Sequence, residues 1–259
     1  MNIESFSQYT GNMSTASSGG TIPAPSGLEV GDLLIIQIVN WGNKGVSITN
    51  GATQIRSDTE DGSMVSKLYW KVATATEVSS GIPYTLQSGS EHVGTAYRIT
   101  GANTSDPISG SSSDYDTDSS WNFPIGLTPD YPDSACFIFT NSRYNTGNIS
   151  SYAIANDNPT WIEDYDISNV DSDDHGISCA RAIRTAETNT GNVSFSGTDN
   201  CRLTAQFLIV NPPPPPDPPT VTTQAVSDIT GNSATGNGNV TDDGGATIIE
   251  RGIVYSTDS

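Results

Sequence analysis

The chain has 259 residues, with 29 acidic side chains against 10 basic ones and a formal net charge of −19. That balance argues against a duplex nucleic acid or an anionic membrane as partner, since neither supplies the positive charge such a surface needs. Ser, Thr, Asn, Gly and Asp dominate, the usual helix formers are sparse, and no apolar pattern of helical period lasts three turns, so the chain reads as all-β. No apolar run reaches the length of a membrane span. The opening "MNIESFSQYTGNMSTASSGG" (1–20) has neither the basic nor the apolar region of a signal peptide. Its Ser/Gly-rich composition predicts that residues 1–22 order only when tied down, as an N-terminal anchoring segment burying Phe6 or Tyr9 against a neighbouring subunit.

Strands follow. "GDLLIIQIVN" (31–40) is nearly continuous apolar sequence, as in a strand covered on both faces. "SKLYWKVATA" (66–75), "IPYTLQS" (82–88) and "HVGTAYRIT" (92–100) are rich in aromatic and β-branched residues or alternate, with turn formers such as "NWGNKG" and "TEDGS" between them. The same order then recurs. "DSACFIFTNS" (133–142) parallels 31–40, "PTWIEDY" (159–165) parallels "ATQIRSD" (52–58), and "SCARAIRTAET" (178–188) parallels "KLYWKVATATE" (67–77). "GNVSFSGTDN" (191–200) and "CRLTAQFLIV" (201–210) complete the match. In this alignment Lys71 falls on Arg181 and Glu77 on Glu187. The repeat is far longer than the roughly 20–50 residues of a solenoid unit.

Two readings are open: two separate small sandwiches, or one two-sheet antiparallel sandwich over 23–211 made of two similar halves. The lack of a Pro/Gly linker between the halves favours the second, jelly-roll-like with an internal pseudo-duplication. The irregular stretch 101–132 then serves as a crossover. Residues 212–219, seven prolines around Asp217, predict a polyproline II linker of about 25 Å.

Chemistry is thinly marked. The sequence has no G-x-S-x-G, H-E-x-x-H or phosphate-loop motif. His92 and His175 read as surface or edge histidines rather than bases. Cys136, Cys179 and Cys201 each sit in a strand-like run and read as buried thiols. Asp114, Asp116 and Asp118, and the 163–174 stretch with Glu163, Asp164, Asp166, Asp171, Asp173 and Asp174, have the alternation calcium favours. Against that reading, Ser119 and Ile125 break the first as an EF-hand, and solvated acid runs explain both. Trp41, Trp121 and Trp161 stand beside loops, where they either form a sugar-stacking platform or plug the ends of the core. Glycosylation sequons begin at Asn12, Asn103, Asn148, Asn192 and Asn239. No catalytic residue, resident metal or cofactor is expected.

"GDLLI" (31–35), "YWKVAT" (69–74) and "AYRITGA" (96–102), in this order, resemble a β-sandwich family of tailed-phage virion proteins and bacterial surface proteins. The resemblance covers 23–211 and rests on apolar strand signatures, which mark a fold and not an activity. Residues 220–259, with "SATGNGNVTDDGGA" as a second strand and "ERGIVYS" as a third, look like the start of a fibronectin-type-III-like domain, part of a longer chain. The resemblance implies a non-catalytic virion protein (fibre, tail or capsid decoration) on the virion surface, contacting other virion proteins through its N-terminal end, with host-surface glycans as a further candidate partner. The alternative is a secreted or surface carbohydrate-binding or adhesin module. Lack of an export signal together with free cysteines favours the virion.

Overall fold

The computed structural model describes residues 1–11, 19–41, 45–60, 64–87, 92–116, 121–143, 149–169, 175–197 and 202–255. The chain divides into two units, Met1–Pro213 and Pro214–Ser259.

In the first unit the elements run β1 (Asn2–Gly11), β2 (Gly19–Ile22), β3 (Leu33–Trp41), β4 (Val46–Ile48), β5 (Thr53–Glu60), β6 (Met64–Val72), α1 (Ala75–Ser80), β7 (Ile82–Leu86) and β8 (His92–Thr100). They continue as β9 (Ile108–Asp116), β10 (Asn122–Phe123), β11 (Ser134–Arg143), β12 (Ser150–Ile154), β13 (Ile162–Asn169), β14 (His175–Arg184), β15 (Val193–Ser196) and β16 (Arg202–Val210). All strand pairs are antiparallel.

One five-stranded sheet has the order β1-β8-β3-β6-β5, and a three-stranded one the order β2-β7-β4. The other two are β9-β16-β11-β14-β13 and β10-β15-β12, which are the same orders with eight added to each strand number. The irregularities recur as well. Glu4 is the extra residue between the pairs Ile3–Ile99 and Ser5–Arg98, and Ser109 takes that place between Ile108–Val210 and Gly110–Ile209. Ile55 bulges from β5 and Asp164 from β13, each two pairings from the start of its ladder.

Three apolar clusters hold these sheets in four layers. Leu33, Ile35, Leu68 and Tyr97 of the first large sheet meet Phe137, Phe139, Cys179 and Leu208 of the second. Behind the first, Leu34, Ile36 and Ile38 pack on Ile22, Ile48, Ile82 and Tyr84 of its small sheet. Behind the second, Ile138, Phe207 and Ile209 pack on Phe123, Tyr152, Ile154 and Phe195. The expected two-sheet sandwich is therefore four sheets deep. The reason is that both faces of the central strands are apolar: all nine residues of β3 are buried, and so are residues 203–210 of β16. A sheet with two apolar faces needs a cover on each.

Three further expectations need correction. Residues 1–22 do not stand apart from the sheets, since β1 is the edge strand beside β8 and β2 pairs with β7. The side chains of Phe6 and Tyr9 lie outside the described residues. The stretch 101–132 contains β9 and β10 besides loops, and its turn is pinned to the end of β16 by Asn211, whose N–H donates to Pro107 O (2.8 Å) and whose Nδ2 donates to Asp106 O (3.1 Å). Lys71 and Arg181 are not counterparts. Lys71 is opposite Leu34 on an outer face, while Arg181 is opposite Phe137 on the inner one, and strand side chains alternate. By register the residue that matches Lys71 is Ala182, opposite Cys136, and the nearest cation on that outer face is Arg184, two residues on and opposite Ser134.

The second unit holds one hairpin, β17 (Thr220–Ser227) with β18 (Thr235–Asp242). Every residue of β17 is exposed, and so are Ile249 (97%) and Val254 (99%). The expected third strand at 250–256 is absent from the described residues 250–255, which have no regular structure. The Asp217 N–H donates to Gly244 O at 2.9 Å, fastening the end of the proline-rich stretch to the loop after β18. Gly244 has φ +69°, and a Cβ there would lie 1.8 Å from Asp217 O, so only glycine fits.

Candidate functional site

Two polar networks cross the interface between the large sheets. In one, the Asp58 carboxylate accepts from Arg56 (2.8 and 2.9 Å), Ser113 Oγ (2.6 Å) and Gln206 Nε2 (2.6 Å), and Ser66 Oγ donates to Gln206 Oε1 (2.8 Å). In the other, Asp164 accepts both from Arg181 Nε (2.8 and 2.9 Å) and from Tyr97 Oη (2.9 Å). Nearby, Tyr165 Oη donates to Gln37 Oε1 (3.0 Å), and Gln37 Nε2 donates to Asn141 Oδ1 (3.0 Å).

Burial would push the Asp58 carboxyl up, but its hydrogen bonds from Arg56, Ser113 and Gln206 outweigh this, and its pKa lies below the usual value of 3.8. A depressed folded-state pKa stabilises the fold above the unfolded pKa, and that contribution is lost as pH falls through the folded one. Thermal melts from pH 7 to pH 2 should therefore show Asp58→Asn less stable than wild type near neutrality, with the gap closing below about pH 4. A gap of constant size would refute this role for the charge.

At one edge of the second large sheet, a hollow of about 500 Å³ lies between the turn Asp157–Thr160 and Ile183–Ala186. A second of about 290 Å³, lined by Met1–Glu4, Thr160, Ile162 and Arg181–Ile183, shares residues with it. Its apolar patch is Ile162 (51% exposed) and Ile183 (41%). The turn is held from within. Asn158 Oδ1 accepts from Ile154 N (3.0 Å) and Trp161 Nε1 (2.8 Å), and Asp157 Oδ2 accepts from Thr188 Oγ1 (3.0 Å). Arg184, buried beneath, donates to Ala186 O (2.6 Å) and Thr188 O (2.7 Å). Lined by both apolar and polar residues, the hollow suits adsorption of a sugar ring or a neighbouring protein surface. Among the described lining residues no hydroxyl, thiol or amine is hydrogen-bonded to a histidine, the usual pairing for nucleophilic catalysis.

The sequence candidates fall elsewhere. His92 is not at the surface: it is buried on β8, edge-on to Tyr84 with ring centroids 5.4 Å apart. The His175 side chain is outside the described residues. Trp41 closes the inner cluster, Trp121 belongs to an outer one and Trp161 packs against it, so they plug the core. Cys136 and Cys179 are buried free thiols on opposite faces, in different clusters, while Cys201 is outside the described residues. Burial pushes the Cys136 thiol up to about 12 and that of Cys179 well above its usual value. Neither should react with iodoacetamide in the native protein, and both should react in guanidinium. Rapid native labelling of either would contradict the burial.

Of the calcium candidates, Asp114 accepts from the Tyr115 N–H (2.9 Å), Asp164 is held by Arg181 and Tyr97, and Asp166 accepts from the Ile149 N–H (2.7 Å). Burial, and for Glu163 also the charge of Asp166, pushes the carboxyls of Glu163 and Asp166 up. Among the described residues no three His, Cys, Asp or Glu side chains gather as a metal site. The side chain of Asp116, and Asp118, Asp171, Asp173 and Asp174, lie outside the described residues.

The protein is thus of the all-β class, built of stacked antiparallel sheets, and among the described residues no helix is long and apolar enough to cross a membrane. No family model, curated protein or solved structure matches the chain.

Proposed function

We propose that this chain is a non-catalytic structural protein on the outside of a phage virion: a fibre, tail or capsid-decoration subunit. The observation that carries this reading is the use of its buried charges. Arg98 fastens Asp32 (2.6 Å), Lys71 fastens Glu77 (3.0 Å), Arg181 fastens Asp164, and Arg56 with Asp58 reaches the opposite sheet. These groups lock strands and turns together, as a load-carrying scaffold requires. The resemblance through "GDLLI", "YWKVAT" and "AYRITGA" supports the same reading.

In the order 1-8-3-6 beside 2-7-4 we also read a jelly roll, repeated in the second half. The matching bulges support an internal duplication with the halves back to back about a rough twofold axis. Jelly rolls serve both viral capsids and lectins, so fold alone does not decide the function. The second unit reads as the opening strands of a fibronectin-III- or Ig-like domain, whose further strands would cover Val221, Val226 and Ile229.

Mass spectrometry of gradient-purified phage particles tests the proposal. The protein should be a stoichiometric component. Its absence from particles, with abundance in the medium of unlysed cells, would favour the secreted adhesin. That second reading rests on the hollow at Thr160, Ile162 and Ile183, and predicts glycan-array binding that Ile183→Asp abolishes.

A further inference from the structure

Asn50, in the turn between β4 and β5, Lys71, near the end of β6, and Glu77, in the first turn of α1, come together beside the outer core of the first half. Glu77 is fully buried and the Lys71 side chain is 10% exposed. The two carboxylate oxygens have different tasks. Oε2 accepts from the Thr74 N–H (2.9 Å) and Thr74 Oγ1 (2.6 Å), closing the capping box of α1. Oε1 accepts from Lys71 Nζ at 3.0 Å and also from Asn50 Nδ2. Nζ donates in addition to the backbone carbonyl of Asn50. One carboxylate oxygen therefore holds an amine and a carboxamide side by side.

We propose that Lys71 and Asn50 become joined by an intramolecular amide bond, with Glu77 as the proton carrier. The Lys71 ammonium gives a proton to Glu77 Oε1, and the neutral Nζ attacks Asn50 Cγ. The Nζ–Cγ bond forms, the Cγ–Nδ2 bond breaks, and two protons in all pass from Nζ to Nδ2. The leaving group departs as ammonium and Glu77 ends as the carboxylate it began as. No oxidant or other reagent is consumed. Holding amine and acyl carbon in one place replaces the encounter that makes the reaction negligible in solution, and a carboxylate in contact with both nitrogens is a suitable general acid–base.

Burial would raise the Glu77 carboxyl, but hydrogen bonds from Thr74 and Lys71 and the Lys71 charge outweigh it, leaving the pKa below the usual value. In the unreacted state Lys71 Nζ lies 3.0 Å from Glu77 Oε1, and the first step is proton transfer between them.

The second half supplies an internal contrast. Arg184, Thr188 and Asp157 clamp the equivalent turn there, with Arg184 Nη2 donating to Thr188 Oγ1 at 3.0 Å and lying 3.5 Å from Asp157 Oδ2. That cluster has neither an amine nor a carboxamide, so it remains non-covalent. The amide in the first half would close residues 50–71 into a ring and tie the β4–β5 turn to β6. It does not depend on where the protein is assembled.

Peptide mapping of the full chain tests this. Trypsin cannot cut after an acylated Lys71, so the product expected is residues 45–56 joined to residues 68–98, about 17 Da lighter than the two peptides together. Glu77→Gln should restore separate peptides 45–56, 68–71 and 72–98. Lys71→Arg, which keeps the cation, should also abolish the branch and lower Tm by about 6–12 °C. Because Asn50 precedes Gly51, loss of ammonia within a linear 45–56 peptide would instead mean a succinimide. That outcome, or unmodified linear peptides from the wild type, would overturn the proposal.

Discussion

Phe137→Ala is expected to destabilise the protein by about 3–5 kcal/mol, the cost of emptying a fully buried aromatic site. Phe137 is completely buried on β11, the middle strand of its sheet. Its ring stacks on Phe139 (centroids 5.7 Å apart, planes at 7°) and receives Tyr97 edge-on at 5.1 Å. Tyr97 belongs to the opposite large sheet, so the cavity opens at the junction of the two halves. Urea denaturation should show the midpoint falling. A double-mutant cycle with Tyr97→Leu, from the facing sheet and in ring contact with Phe137, should be non-additive by more than about 0.5 kcal/mol. A loss below about 1 kcal/mol, with strict additivity, would mean that the halves do not share a core.

Asp164→Ala should cost about 3 kcal/mol, the low end for breaking a buried ion pair. The Asp164 side chain is 5% exposed and holds Arg181 through both oxygens and Tyr97 through one, and the substitution strands a guanidinium and a hydroxyl at once. The low end applies because the Arg181 side chain keeps 23% of its surface in solvent. Replacing the pair together, Asp164→Leu with Arg181→Met, should recover most of the loss, since no unpaired charge is then left. If the double variant is as unstable as the single one, the bulge geometry at Asp164 rather than its charge is what matters.

Sequence periodicity identified the right strands but undercounted the sheets. "GDLLIIQIVN" and "RLTAQFLIV" carry apolar residues on both faces, and that signal already calls for a cover on each side of the sheet. The covers, β2, β4, β10, β12 and β15, are two to five residues long, too short for a period to be read. Helix α1 was legible after all: Thr74 and Glu77 have the spacing of a capping box, obscured because six residues give no helical periodicity. Residues 1–22 were misread because Ser and Gly suggest mobility. β1 is ordered by its hydrogen bonds to β8.

Of the candidate sites, least was legible. The tryptophans and His92 stand beside turns in the sequence, and only the fold decides that Trp41, Trp121 and His92 point into cores. Lys71, Asn50 and Glu77 are 21 and 6 residues apart, and no motif links them until the turn, the strand end and α1 meet. By itself the sequence determined the class of fold and the succession of the main strand-like stretches along the chain, because these follow from local alternation and from comparing one stretch with another. Tertiary structure decided the four layers, the counterpart of Lys71 and every polar cluster. Those depend on which face a side chain takes and on which distant strand lies opposite, and a shift of one residue reverses both.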